Sequence, residues 1–163
     1  MDSKIILNRK KLINEVKKFK KAGKKIVFTN GCFDIVHAGH VKLLSDAKKM
    51  GDILVLGLNS DSSVRRLKGK NRPIVPQNER AEIMSALSSV DIVTVFYEDD
   101  PFNVIKDIKP DVLVKGGDWP LDKIIGADVV RSYGGAVKNI KYIKGQSTTN
   151  IIKKIMESHG NDV

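Results

Sequence analysis

Short apolar runs alternate along the chain with stretches in which apolar residues recur at helical spacing. The runs predict strands at 25–29, 53–58, 91–96, 111–115 and 136–143. The stretches between them predict helices at 9–22, 41–50, 60–67, 76–87, 101–108 and 126–133, and a last helix that begins within 145–150 and reaches Met156. We expect the polar tail at 158–163 to fray.

This alternation predicts an α/β fold. Apolar strands without alternating polar residues are typical of a parallel sheet that is covered on both faces. We therefore predict a Rossmann-like, doubly wound, five-stranded parallel sheet with helices on both faces. The strand at 136–143 alternates in part, which favours a sheet edge. The length of 163 residues predicts one domain over 1–163, with an N-terminal helix and a core at about 24–157.

The most informative stretch runs from Thr29 to His40, where the first strand leads into a helix. It holds two histidines three positions apart, His37 and His40. A strand-to-helix junction is a natural anion site, because free backbone N–H groups and the positive end of the helix dipole face outward together. Gly31 and Gly39 lack side chains, which we expect to let a ligand approach the backbone closely.

Polar groups also follow the other predicted strands. Ligands of doubly wound sheets bind at the carboxyl ends of the strands, so these groups should meet at one rim. The stretches concerned are Asn59–Asp61, the basic loop 65–72, Lys115–Trp119 and Gly145–Thr149. Glycines, hydroxyls, histidines and cations together are what a bound triphosphate needs.

Charge and cysteine content indicate the class of partner and the cellular compartment. The net charge of +10 favours polyanionic partners such as nucleotides, sugar phosphates or nucleic acid, although many lysines lie on predicted helix faces. Aromatic residues make up only 6% of the chain and do not interleave with a basic patch, which weighs against nucleic acid. The single cysteine, Cys32, and the absence of a signal sequence or membrane-length apolar run predict a cytoplasmic protein without a membrane partner.

Several common catalytic motifs are absent. The chain has no phosphate-binding Gly-x-x-x-x-Gly-Lys-Ser/Thr loop, no Gly-x-Gly-x-x-Gly and no Gly-x-Ser-x-Gly. The histidine pair lacks further His or Cys partners for zinc, since His159 lies in the tail. The chemistry that remains is group transfer by positioning and charge neutralisation, without a covalent intermediate.

The motif His37-Ala38-Gly39-His40, with Gly31-Cys32-Phe33-Asp34 before it, resembles the His-x-Gly-His nucleotidyltransferase superfamily. Four ordered motifs are similar to the adenylyltransferase domain of ADP-heptose synthases: 29–34, 64–69, 114–118 and 147–155. The resemblance implies transfer of AMP from ATP to D-glycero-β-D-manno-heptose 1-phosphate, with Mg²⁺ and release of pyrophosphate. The sugar-kinase domain often fused to this domain is absent, which implies a stand-alone form in surface-glycan precursor synthesis.

The resemblance also implies residue roles. Catalytic roles fall to His37, His40, Lys42 and Lys68. Nucleotide-binding roles fall to Asn30, Gly31, Cys32, Phe33, Gly39, Lys115, Gly116, Gly117, Asp118, Ser147, Thr148 and Thr149. Substrate-binding roles fall to Asp34, Arg80 and Trp119. No protein residue is implied as a fixed metal ligand. The partners are ATP and a sugar 1-phosphate, without nucleic acid or membrane, and family relatives suggest a homo-oligomer.

Two alternatives stay open. Glycerol-3-phosphate cytidylyltransferases also resemble the chain, but they carry an arginine where Tyr142 stands and Gly-Asp-Asp-Trp where Gly116–Trp119 stands. The heptose pattern itself has a cysteine where Gln146 stands, which leaves the acceptor sugar open. From another class, the chain would be a non-catalytic nucleotide- or nucleic-acid-binding module.

Overall fold

A five-stranded parallel sheet forms the centre of the protein. The computed structural model describes residues 4–141 and 145–159. Within them the strands are β1 Ile26–Gly31, β2 Ile53–Asn59, β3 Ile92–Phe96, β4 Val112–Gly116 and β5 Ala136–Ile140. Their spatial order is β3-β2-β1-β4-β5, and every neighbouring pair is parallel. The predicted parallel sheet is thereby confirmed, with β5 at an edge. The residues 142–143 at the end of the predicted last strand, including Tyr142, lie outside the described residues.

Helices separate the strands along the chain. Their bounds are α1 Arg9–Lys21, α2 Ala38–Lys48, α3 Asp61–Lys68, α4 Gln77–Ser85, α5 Phe102–Ile108, α6 Ala127–Ser132 and α7 Thr148–His159. None of the helices in the described ranges combines the length and the hydropathy that crossing a membrane requires.

Two helix boundaries differ from the prediction by three residues, and the other boundaries differ by at most two. Helix α2 begins at Ala38 rather than at Val41, because His37 already has the extended backbone of an N-cap residue. Helix α7 continues through Ser158 and His159, which we expected to fray. No glycine or proline interrupts the chain before Gly160, so the helix can propagate to that point. The rest of the predicted tail, 160–163, lies outside the described residues.

The sheet separates two apolar layers. One layer joins side chains of β1, β2 and β4 such as Phe28, Val55 and Leu113 to α1, α5 and α6. The other joins alternate strand residues such as Val27 and Leu54 to α2 and α4. Side chains of a strand point alternately to opposite faces, so a strand with no polar alternation buries both faces. The helices therefore cover both faces, as predicted.

The sheet extends beyond β3 through a short N-terminal segment that the sequence analysis missed. Ile5 forms a parallel bridge with Val93, the Ile6 N–H donates to the Val93 carbonyl at 2.8 Å, and the Val93 N–H donates to the Lys4 carbonyl at 2.9 Å. The apolar run Ile5-Ile6-Leu7 was the available signal. This pairing covers the hydrogen-bonding groups that β3 would otherwise expose.

Two glycines beside α6 test how tightly this face is packed. Gly126 and Gly134 share a φ of +85°, which disfavours any other residue. A Cβ on Gly126 would come within 2.8 Å of Cδ1 of the fully buried Ile105, whereas a Cβ on Gly134 meets nothing within 4 Å. We expect Gly134→Ala to lower the free energy of unfolding by about 1–2 kcal/mol, from backbone strain alone. We expect Gly126→Ala to cost about 1–3 kcal/mol more, from overpacking.

Chemical denaturation of the two variants and the parent measures both costs. The shared φ makes Gly134→Ala the matched control for strain. Equal costs for the two variants would show that Ile105 moves aside freely.

Candidate active site

A cavity of about 660 Å³ opens at the carboxyl ends of β1, β2 and β4. Among its walls are most of the predicted residues: Asn30, Gly31, Cys32, Phe33, Asp34, His37, Gly39, His40, Lys68, Lys115, Gly116, Trp119, Ser147, Thr148 and Thr149. The strand order reverses between the adjacent strands β1 and β4. The helix after β1, α2, covers one face of the sheet and the helix after β4, α6, covers the other, which leaves a crevice at the strand ends.

The two histidines form a stacked pair in this cavity. The ring centroids of His37 and His40 are 3.7 Å apart with an interplanar angle of 24°, and the Phe33 ring lies 4.8 Å from that of His40. A Cβ on Gly39 would come within 3.0 Å of the His37 ring, and a Cβ on Gly31 within 2.8 Å of the Phe33 ring. The glycines thus make room for the protein's own rings. Both also line the cavity, and close approach of a ligand to their backbone stays a prediction.

Burial keeps the pair neutral. Burial lowers the pKa of His37, and burial together with the His37 charge lowers the pKa of His40 to about 4. Both Nδ1 atoms are buried and have no hydrogen-bond partner in the described ranges. A buried N–H without an acceptor is costly, so we expect each ring to carry its proton on Nε2. The pair then offers neutral donors and not imidazolium charges.

Cations provide the positive charge that the histidines do not. Lys68 ends α3 and lines the cavity, as does Lys115 at the end of β4. The Lys115 Nζ lies 3.4 Å from Asn30 Oδ1, and burial lowers the pKa of Lys115. The Cys32 thiol lies near these cations, yet burial raises its pKa. A protonated thiol is a poor nucleophile, which agrees with the predicted transfer without a covalent intermediate.

The N-terminus of α7 forms a further wall. The Asn150 N–H donates to Ser147 Oγ at 3.0 Å, which caps the helix, and Thr148 Oγ1 donates to the Ile35 carbonyl at 3.2 Å. The Thr148 bond fastens the helix start to the loop between β1 and α2. The first N–H groups of the helix adjoin the cavity, where they suit an anion.

Two predicted residues are buried ion-pair partners. Asp34 is 1% exposed, and it accepts hydrogen bonds from Arg72 Nε at 2.6 Å and from the Ile74 and Val75 N–H groups at 2.8 Å each. Burial alone would raise the pKa of Asp34, but these bonds outweigh it and the pKa lies below its usual value. Its carboxylate therefore has little capacity left for a sugar or a metal.

Arg80 is the second buried ion-pair partner. It is 0% exposed and lies outside the cavity wall. Its guanidinium donates to the Val75 carbonyl at 2.9 Å, the Cys32 carbonyl at 2.5 Å and Asp61 Oδ1 at 2.8 Å. Every nitrogen of its guanidinium binds a protein oxygen, so the structure does not bring Arg80 to the cavity, and its contact with the substrate stays a prediction.

Three other predicted residues also lie outside the cavity wall. Lys42 is exposed and pairs with Asp46, one turn later on α2, at 2.6 Å. The Gly117 N–H donates to the Ile140 carbonyl at 2.8 Å, which binds the turn after β4 to β5. Asp118 is exposed beside it.

A family model described as cytidylyltransferase-like matches residues 28–157. The chain belongs to the cytidylyltransferase-like family. It is 56% identical over 143 residues to the bifunctional protein HldE of Geobacter sulfurreducens, which covers 88% of this chain and 29% of that protein. It is 52% identical to HldE of Syntrophotalea carbinolica, covering 97% of this chain and 32% of the relative. The chain thus spans about a third of the length of these relatives.

Solved structures share the fold. A lipopolysaccharide core biosynthesis protein from Thermoplasma volcanium is 33% identical with a TM-score of 0.62, covering 76% of this chain and 100% of that one. A pantoate-beta-alanine ligase from Francisella tularensis has a TM-score of 0.60 at 16% identity, covering 94% of this chain and 77% of that one, and shows the fold alone.

In this cytidylyltransferase-like chain several cavity residues were not predicted as site residues. They are Leu43, Asn59, Leu67, Arg72, Asp99, Asp100, Pro101, Ile125, Gly145, Gln146 and Asn150. Asn59, Gly145 and Gln146 carried a signal, since they follow strands at the expected rim. Asp99–Pro101 also follow a strand, β3, but carry no motif. Arg72 was one cation among several in the basic loop.

The histidine pair predicts a specific pH dependence of stability. The folded pKa of His40, about 4, lies below the unfolded value of 6.5. The unfolded chain therefore binds the proton more readily, and stability falls as the pH drops from 6.5 towards 4. We expect His40→Gln to flatten this fall in Tm, measured by circular dichroism between pH 7.5 and 4.5.

The exposed His159→Gln serves as the matched control. It should keep the pH slope of the parent. If His40→Gln keeps that slope as well, the neutral buried state of His40 is disproved.

Proposed function

We propose that the chain transfers AMP from ATP to D-glycero-β-D-manno-heptose 1-phosphate, giving ADP-heptose and pyrophosphate for surface-glycan synthesis. The observation that carries this proposal is the stacked His37–His40 pair, which shares one cavity with the N-terminus of α7. The HldE relatives, at 50–57% identity, support the heptose substrate over other acceptors. The residue roles below belong to the same proposal.

The acceptor substrate itself supplies the nucleophile of the proposed reaction. A phosphate oxygen of the acceptor, largely ionised at pH 7, attacks the α-phosphorus of ATP. The bond between the α-phosphorus and the bridging oxygen breaks, and pyrophosphate leaves with that electron pair. No protein nucleophile is needed, which suits a site whose Cys32 thiol has a raised pKa.

The protein's part is to stabilise charge that grows during this step. Nε2–H groups of His37 and His40 would donate to α-phosphate oxygens as these become more negative. Neutral donors fit this task because they do not require a buried imidazolium. Ser147, Thr149 and the first N–H groups of α7 would bind the β- and γ-phosphates, while Lys68 and Lys115 neutralise charge.

A smaller cavity of about 170 Å³ adjoins the first and suits the nucleobase. It is lined by Asn30, Pro101, Lys115, Trp119, Lys123, Ile124 and Ile125. Its apolar and aromatic walls match a flat ring, and Asn30 offers both a donor and an acceptor. We propose that adenine binds there, and that Gly116, in the wall of the larger cavity, lets the nucleotide approach the backbone closely.

Mg²⁺ fits this site as a companion of ATP. No group of three potential metal ligands occurs among the residues that the structure describes. Mg²⁺ commonly keeps several waters and binds through substrate phosphates, so it does not need such a group. When bound, it would neutralise charge on the phosphate oxygens. A homo-oligomeric state, a single domain and a cytoplasmic location stay predictions.

Transfer of CMP to glycerol 3-phosphate is the second candidate. The matching family model is described as cytidylyltransferase-like, and this description supports CMP transfer as a candidate. Against a non-catalytic binding module stand the match to the cytidylyltransferase-like family and the identity to the HldE relatives.

Pyrophosphate release with Mg²⁺ tests the proposal, pairing ATP or CTP with heptose 1-phosphate or glycerol 3-phosphate. We expect turnover with ATP and heptose 1-phosphate. His40→Ala should lower kcat by about 10²–10³, as loss of a donor to a developing oxyanion does. The exposed His159→Ala should retain the parent rate.

Each other outcome has a meaning. Turnover with CTP and glycerol 3-phosphate would replace the substrates but keep the site. Saturable ATP binding without turnover in any pair would favour the binding module. Equal rates for His40→Ala and the parent would remove the histidines from the mechanism.

A further inference from the structure

We propose that Arg72 binds a phosphate oxygen of a substrate and that Asp34 is the residue that positions it. The inference rests on the proposed function, because it assigns two residues to that same site. The family resemblance had given Asp34 a direct contact with substrate and had given Arg72 no role.

The guanidinium of Arg72 is only partly used by the protein. Its Nε donates to Asp34 Oδ2 at 2.6 Å. Its two terminal nitrogens have no hydrogen bond to any described residue, and they do not belong to the buried polar atoms that lack a partner. The side chain is 18% exposed, so these nitrogens are accessible, and the residue lines the cavity. Two parallel donors in a fixed fork suit a phosphate.

The carboxylate of Asp34 cannot serve a substrate directly. Its Oδ1 accepts from the Ile74 and Val75 N–H groups, and its Oδ2 accepts from Arg72 and, at 3.0 Å, again from Ile74. A carboxylate has about four acceptor positions, and all four are occupied here. Asp34 therefore acts on the site through Arg72.

Arg80 fixes the same segment from its other side. Asp34 binds the N–H of Val75, and Arg80 binds the carbonyl of Val75 and that of Cys32. The stretch from Arg72 to Val75 is thereby held against the turn after β1. Arg72 does not need to be ordered when substrate binds, which lowers the entropic cost of binding.

Charge in the surroundings agrees with a phosphate ligand. Lys68 lines the same cavity, and both Lys68 and Arg72 are close enough to Cys32 to lower the pKa of its thiol against the effect of burial. Asp34 pairs with Arg72 and leaves Lys68 without a carboxylate partner among the residues that the structure describes. Two further carboxylates, Asp99 and Asp100, line the cavity, and Asp99 pairs with Arg66 outside its wall. The phosphate can belong to the nucleotide or to the acceptor, and kinetics can separate the two.

The test uses Arg72→Gln, Arg72→Lys, Asp34→Asn and the double variant Asp34→Asn/Arg72→Gln with the best substrate pair of the parent. We expect Arg72→Gln to raise one KM by about 10- to 100-fold, as loss of a charge-assisted bond does. A rise in the acceptor KM assigns the acceptor phosphate, and a rise in the nucleotide KM assigns a nucleotide phosphate. Arg72→Lys should recover part of the loss.

If Asp34 acts by positioning Arg72, we expect a second result. Asp34→Asn should raise the same KM by a smaller factor, and the double variant should be no worse than Arg72→Gln alone. Arg65→Gln is the matched control, because Arg65 is exposed and lies outside the cavity wall. Tm values identify variants that fail to fold. If Asp34→Asn fails to fold, the two Arg72 variants decide the proposal.

Two results would overturn the inference. One is a change below twofold in both KM values and in kcat for Arg72→Gln. The other is a double variant whose losses multiply. If the parent turns over no substrate pair, the proposed function fails. The role of Arg72 is then tested separately, by calorimetric measurement of the affinities for phosphate and pyrophosphate. We then expect Arg72→Gln to weaken at least one of these affinities tenfold, and two unchanged affinities would refute the role of Arg72.

Discussion

The cavity depends on a charge that is wholly removed from water. Arg80 keeps its guanidinium at 0% exposure because three protein oxygens accept from it: those of Cys32, Val75 and Asp61. Removing one partner of such a buried pair leaves an unpaired charge and typically costs about 3–5 kcal/mol. Through these bonds the exit of β1, the start of α3 and the approach to α4 are fastened to one another beside the cavity.

Asp34 is a second buried charge, here a negative one, that several hydrogen bonds hold in place. The carboxylate holds Arg72 and the backbone of the same loop, so an anion and a cation fasten one segment from two sides. The consequence for function is that Arg72 is held in position at the cavity. A cation at the cavity wall that is already ordered can bind a phosphate without loss of side-chain freedom. In this way interactions that stabilise the fold also prepare the site.

The site combines charged and neutral donors. Burial lowers the pKa of His40 to about 4, so the stacked histidines are neutral at pH 7, while Lys68 and the α7 N-terminus supply positive potential. Charged groups suit phosphates that are anionic throughout the reaction. In the proposed reaction, neutral donors suit the α-phosphate, whose oxygens are anionic in ATP and gain further negative charge as the new bond forms. The stacking at 3.7 Å also disfavours a charge on both rings at once.

The sequence by itself determined the elements and the principal motif. Periodicity is a local property, so it identified all five strands, the edge position of β5 and the histidines at the start of α2. Tertiary structure decided which charged side chains reach the cavity. Lys42 pairs with Asp46 nearby, whereas Asp34 meets Arg72 across 38 positions and Arg80 meets Cys32 across 48. The pairing of the segment around Ile5 with Val93 was decided in the same way. A charge pattern shows which residues are able to bind a phosphate, but the nearest opposite charge in the folded chain determines which of them are free to do so.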